Sequence, residues 1–152
     1  MTTSFSIKNT SFASLDMQGA DIAPLSPIDF LQRAAHVFGD KTAIIYEDRR
    51  LDYRMLDRRC RQLASALKRA GIVPGQTVSV ICPNVPEMIE LHFAVPMTGA
   101  VLNTINTRLD ATLIASILDH GEAQLLFVDR EYSDVVETAL ALIKRDITLV
   151  AI

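Results

Sequence analysis

Residues Thr77–Leu109, TVSVICPNVPEMIELHFAVPMTGAVLNTINTRL, decide how the chain is read. Thr77-Val78-Ser79-Val80-Ile81 is short, β-branched and apolar, the signature of a strand. Pro83 to Pro86 breaks it, and Pro86 suits a first helical turn, where its missing N–H costs nothing. From Glu87 to Thr98 the residues are apolar on almost every face, interrupted by Glu87, Glu90 and His92. A helix apolar nearly all round is a buried one. Pro96 is expected to kink or end it. Gly99 then releases the chain into Ala100-Val101-Leu102. Strand, buried helix, strand is the βαβ unit of a parallel sheet.

PNVPEMIELHFAVPMTGAVLNTINTRL resembles the N-terminal part of the adenylate-forming ligases, the fatty-acid and short-chain acyl-CoA synthetases most of all. The resemblance runs from about Pro24 to Ile152, specific in the stretch just quoted and looser elsewhere. It implies an α/β fold: the first part of the ligase domain, a mostly parallel sheet with helices on both faces, preceded by a helix and a β-hairpin. Family members are several times longer. The expected organisation is a loose leader over residues 1–23 and a partial N-terminal subdomain over 24–152, cut short at its C-terminal end.

The flanking sequence supports that order of elements. Ser26, Pro27 and Asp29 open a helix with a cap, a proline at its first position and first-turn negative charge. It runs to about Phe38, stops at Gly39, and carries Ile28, Leu31, Ala34 or Ala35, and Phe38 as its apolar stripe. Thr42–Tyr46 and Leu51–Tyr53 read as hairpin strands around the polar turn Glu47–Arg50, without the Asn-Gly signal of a tight turn. Asp52 caps a helix to about Ala70. Its inner stripe is Leu56, Cys60, Leu63, Leu67 and Ala70, and Arg54, Arg58, Arg61, Lys68 and Arg69 cover the outside. Gly71 and Pro74-Gly75 turn the chain into the Thr77 strand. Asp110 caps a helix over Ala111–His120 with Leu113, Ile114, Ile117 and Leu118 inward, closed by Gly121. Ala123–Val128 is a buried strand. A helical stripe follows from Tyr132 to Ile143, and Ile147–Ile152 is a last apolar strand. A bare apolar strand invites edge pairing, so the sequence is expected to continue beyond it.

Composition bounds the classes. The 152 residues are 49% hydrophobic and 22% charged with net charge −3, which is globular and offers no basic footprint for nucleic acid. No stretch reaches the ~18 uninterrupted apolar residues of a membrane span. The N-terminus has neither a signal core nor the arginines of a transit peptide, and a cytoplasmic location is expected. Cys60 and Cys82 have no metal-ligand spacing and read as buried thiols in a reducing compartment.

Motifs for chemistry are missing from the sequence. The six glycines form neither G-x-G-x-x-G nor G-x-x-x-x-G-K-[ST], and there is no G-x-S-x-G. His36, His92 and His120 show no paired-ligand spacing. His92, within the most apolar helix, is either an acyl-pocket residue or a hydrogen-bonded core histidine. Asn103 and Asn106 follow a strand, where open α/β sheets bind ligands, though Asx-turn chemistry explains them more plainly. The basic helix face is an anion-binding surface or, more plainly, a solvated one.

The resemblance implies that the intact enzyme uses ATP and Mg²⁺ to turn a carboxylic acid into an acyl-adenylate, then passes the acyl group to coenzyme A. The family's phosphate loop, metal-binding acid, ribose-binding Asp and mobile lysine have no match in Met1–Ile152. No catalytic, cofactor-binding or metal residue is therefore assigned, and the chain alone is expected to be inactive and to bind none of these cofactors. Its partners are expected to be the remainder of the ligase chain and a small carboxylic acid, without nucleic acid; a homo-oligomer is left open. An independent α/β binding module, or one half of a split ligase, are the alternative readings.

Overall fold

Alternation along two strands builds the centre of the molecule. The structure is a computed structural model that describes residues 25–152. The leader assigned to residues 1–23 lies outside them. The element order is α1 (Pro27–Val37), β1 (Thr42–Tyr46), β2 (Arg49–Asp52), α2 (Tyr53–Arg69), β3 (Thr77–Ile81), α3 (Pro86–Ala94), β4 (Val101–Thr104), α4 (Ala111–His120), β5 (Ala123–Val128), α5 (Ser133–Leu140) and β6 (Thr148–Ala151). β4, β3, β5 and β6 lie side by side in that order, all parallel. The middle strands, β3 and β5, are buried on both faces, whereas β4 and β6, also read from sequence as apolar runs, are the more exposed edges.

Side-chain alternation divides the core in two. Val78, Val80, Leu125 and Phe127 point to one face and pack with Leu67 of α2 and Leu91 of α3. Ile81, Leu126 and Val128 point to the other and pack with Ile114 and Leu118 of α4 and Val136 of α5. Helices on both faces of a parallel sheet are what the βαβ pattern predicts. A third cluster lies outside the α2–α3 layer: Leu31 of α1, Ile44 and Leu51 of the hairpin, and Leu56 and Cys60 of α2. The long helix α2 thus serves two cores, with Leu56 and Cys60 toward the hairpin and Leu67 toward the sheet.

The caps follow the sequence. Asp52 accepts from the Met55 N–H at 2.6 Å and Asp110 from the Leu113 N–H at 2.9 Å. Asp29 reaches back to the Ser26 N–H at 2.9 Å. Several boundaries differ. The hairpin turn is two residues, Glu47-Asp48, since Tyr46 already pairs with Arg49; Tyr53 belongs to α2 rather than to a strand. α3 ends at Ala94, and Pro96 opens a separate 3-10 turn to Thr98, because a proline cannot donate to the preceding helical turn. Gly121 keeps a right-handed conformation, and the left-handed residue after α4 is Glu122 at φ 49°. Phe38 caps α1 and is exposed, and Leu113 is exposed on α4.

Gly99 is where the glycine is required. It sits at φ +80°, its carbonyl accepts from the Gly75 N–H at 2.9 Å, and an added Cβ would lie 3.0 Å from Pro74 Cβ. This contact locks the turn before β3 to the start of β4.

Two outcomes follow from the packing. Gly99→Ala should lower unfolding free energy by about 1–2 kcal/mol or more, from left-handed strain plus the clash with Pro74, read by urea denaturation. A loss below a few tenths of a kcal/mol would refute the account of this turn. Cys60 and Cys82 are both free and buried, and burial pushes their thiols up to about 12 and about 11. With so little thiolate at pH ~8, neither should react with an alkylating reagent in the native chain, and both should react once urea unfolds it. Rapid native labelling of either would contradict their place in the cores.

Candidate functional site

In an open parallel sheet, ligands bind outside the carboxyl ends of the strands, where successive connections leave in opposite directions. Here the connections diverge between β3, which leads to β4 on one side, and its neighbour β5, which leads to β6 on the other. The loops after β3 and β4 form an open groove of about 450 Å³ at this edge. Its walls are Cys82, Pro83, Asn84 and Met88 on one side and Thr104 to Thr107 on the other. The Pro83–Val85 break and the N-terminal proline of α3 build the first wall. The Asn106 side-chain Oδ1, which accepts from the Arg108 N–H at 3.0 Å, holds the second. That is the Asx turn read from sequence, and it uses Asn106 as scaffold.

The lining of this groove is amide, hydroxyl and thiol. It can hold a polar, uncharged group by hydrogen bonds. None of its side chains is a cation or a carboxylate, so it has no general base and no countercharge for a phosphate. The Cys82 thiol, buried and pushed up by desolvation and by the nearby carboxylates of Asp129 and Glu87, is no nucleophile.

The other singled-out residues are placed as follows. Asn103 lies within β4, opposite Ser79, not in the loop that follows. Its Nδ2 donates to the fully buried Ser79 Oγ at 3.1 Å, a polar pair satisfied inside the sheet. His92 is exposed, against the expectation of a buried imidazole, and its Nδ1 pairs with the Met88 carbonyl at 2.8 Å. It does not meet His36 or His120, and among the described residues no group of three or more His, Cys, Asp or Glu side chains could hold a metal.

The buried polar residue of α3 is Glu90, at 4% exposure. Arg59 of α2 donates to it twice, Nε to Oε1 at 2.5 Å and Nη2 to Oε2 at 3.2 Å. This bond, chiefly, raises the Arg59 pKa despite partial burial. One turn earlier, Glu87 pairs with Arg49 of β2 at 2.9 Å and approaches Arg59 at 3.9 Å. Burial works against the Glu87 charge, yet a backbone N–H and the two arginines hold its carboxyl below the usual range. Arg59, Glu87 and Glu90 also line a second groove, of about 320 Å³, that runs past Leu63 and Leu91 to Phe127 and Ile152. In the sequence Glu90 reads only as an interruption of the apolar helix, and Arg59 belongs to no motif. A carboxylate amid apolar residues, facing an arginine-rich helix, was the available signal.

Comparison with known proteins agrees with this architecture. A family profile described as AMP-binding enzyme matches residues 31–151. The trans-cinnamate:CoA ligase of Petunia hybrida is 52% identical over 82% of this chain and 22% of its own length. A 2-methylpropanoate–CoA ligase of Humulus lupulus is 49% identical over 81% of this chain and 22% of its own. Among solved structures, an anthranilate CoA ligase in complex with anthranoyl-AMP superposes with TM-score 0.81 at 26% identity, over 90% of this chain and 27% of that one. The chain thus spans about a fifth of the length of the curated relatives it matches. With the family profile running from α1 through β6, the chain belongs to the AMP-binding enzyme family.

Proposed function

We propose that the chain is the N-terminal scaffold of an ATP-dependent carboxylic acid–CoA ligase. That enzyme activates a small carboxylic acid as acyl-AMP and transfers the acyl group to coenzyme A. The observation that carries the reading is the 52% identity to a CoA ligase over a stretch that is only 22% of that relative. Residues 24–152 are one partial subdomain of the ligase, and the remainder of the ligase chain is its partner.

ATP, Mg²⁺ and coenzyme A belong to the intact enzyme. The groove at the sheet's carboxyl edge has no cation to offset a triphosphate's charge and no carboxylate to hold its metal. The role assigned to this chain is to hold the βαβ framework on which the remainder builds its site. Fatty or short-chain acids are the substrate class proposed, on the resemblance of residues 83–109 to those synthetases. Two unpaired buried thiols fit a reducing compartment, and the cytoplasm is the location proposed. Peroxisomes are the alternative, since some relatives carry that location in their names.

The purified chain should show no ATP–pyrophosphate exchange with any carboxylic acid. Grafted into the petunia ligase in place of the matching segment, it should support exchange with a small carboxylic acid. Robust exchange by the chain alone, or a folded chimera without exchange, would overturn the scaffold reading.

A further inference from the structure

The outward face of α2 is cationic along its whole length. Arg54, Arg58, Arg61, Ser65 and then Lys68 and Arg69 follow one another at steps of four, three, four and three or four, so they share one stripe. From Arg54 to Arg69 it is about 22 Å long. All of these side chains are exposed, those of Arg54 and Arg61 at 66% and 55%. Arg54, Arg58, Arg61 and Arg69 line an open groove of about 440 Å³ with Asp57, Gln62 and Ser65. Two carboxylates touch it. Asp40 pairs with Arg54 at 2.6 Å and Asp57 with Arg61 at 2.8 Å. Arg58 and Arg69 lean instead on Met55 Sδ and Ser65 Oγ, which are neutral.

We propose that this stripe docks the protein on an anionic phospholipid surface. Two features choose a bilayer over an acidic protein partner. A protein interface needs an apolar centre, and Met55 is the large exposed apolar side chain that α2 offers. A lipid surface needs only positive charge and an aromatic or aliphatic side chain at its edge. That edge is present. The Phe38–Asp40 turn abuts the start of the stripe, where the Arg54 N–H donates to the Gly39 carbonyl at 3.1 Å. Phe38 is 49% exposed, with Lys41 Nζ 5.3 Å above its ring. Attachment is peripheral, because no described helix is long and apolar enough to cross a membrane. The inference is independent of the ligase reading.

The test is flotation of the whole chain with phosphatidylcholine vesicles containing about 30 mol% phosphatidylglycerol, at about 50 mM salt. Binding is expected to the anionic vesicles, not to pure phosphatidylcholine, and to be lost near 500 mM salt, where the Debye length falls to roughly 4–5 Å. The combined variant Arg58→Gln, Lys68→Gln, Arg69→Gln should weaken it on the order of 100-fold with an unchanged thermal melt. The combined variant Arg130→Gln, Lys144→Gln, on other elements, should leave it unchanged. Absence of binding at low salt, equal binding to neutral vesicles, or equal loss in the two variants would overturn the proposal. So would capture by polyglutamate or a DNA duplex in preference to vesicles.

Discussion

The Arg59–Glu90 pair is the constraint on which the arrangement of layers depends. Helix α3 is apolar around most of its surface, so hydrophobicity alone leaves its rotation poorly determined. One charged residue settles it. Glu90 is buried at 4% exposure, and a carboxyl group out of water needs hydrogen-bond donors within reach. Arg59 supplies both from one guanidinium. With Glu90 turned to α2, Leu91 and Val95 meet the sheet layer, Phe93 meets the hairpin cluster, and His92 is left to solvent. The neighbouring Glu87–Arg49 bond then carries the same register out to the hairpin. A hairpin of two short strands is marginal by itself. Here it is fastened from below by α2's Leu56 and Cys60 and from its edge by α3.

Much of the architecture is legible in local signals. Asp52 and Asp110 mark helix starts because a carboxylate satisfies end N–H groups wherever the helix packs. The runs at β3 and β5 declare burial on both faces. What stays hidden is long-range. His92 and Glu90 both interrupt an apolar helix, and nothing within α3 says which is outside; the answer lies on Arg59, 31 residues earlier. Asn103 looks like a loop residue until β4 is registered against β3, which places it opposite Ser79. Glu122, not Gly121, takes the left-handed turn, and Gly121 instead allows a close approach, since an added Cβ would sit 3.0 Å from the Ile117 carbonyl oxygen.

The candidate site was legible in its position and not in its chemistry. The sheet's carboxyl edge can be located from the βαβ pattern, and the groove is there. Its lining is polar and uncharged, which suits a wall of a larger site and not the centre of a phosphate reaction. The proposed scaffold role rests on that chemistry together with the share of each relative that this chain represents. Stability and function are then linked by geometry: the Pro83–Val85 wall is the start of the helix that Glu90 orients.

The direct test of this account is a double-mutant cycle at Arg59 and Glu90 read by urea unfolding. The two partners are unequally buried, with side-chain exposures of 38% and 6%. Arg59→Met strands a carboxylate in the core and should cost roughly 3 kcal/mol, whereas Glu90→Gln leaves an arginine that can turn to water and should cost roughly 1–2 kcal/mol. The double variant should be more stable than Arg59→Met alone, with a coupling of at least about 1 kcal/mol. Additive losses, or a larger loss from Glu90→Gln than from Arg59→Met, would contradict the claim that this pair sets the register of the fold.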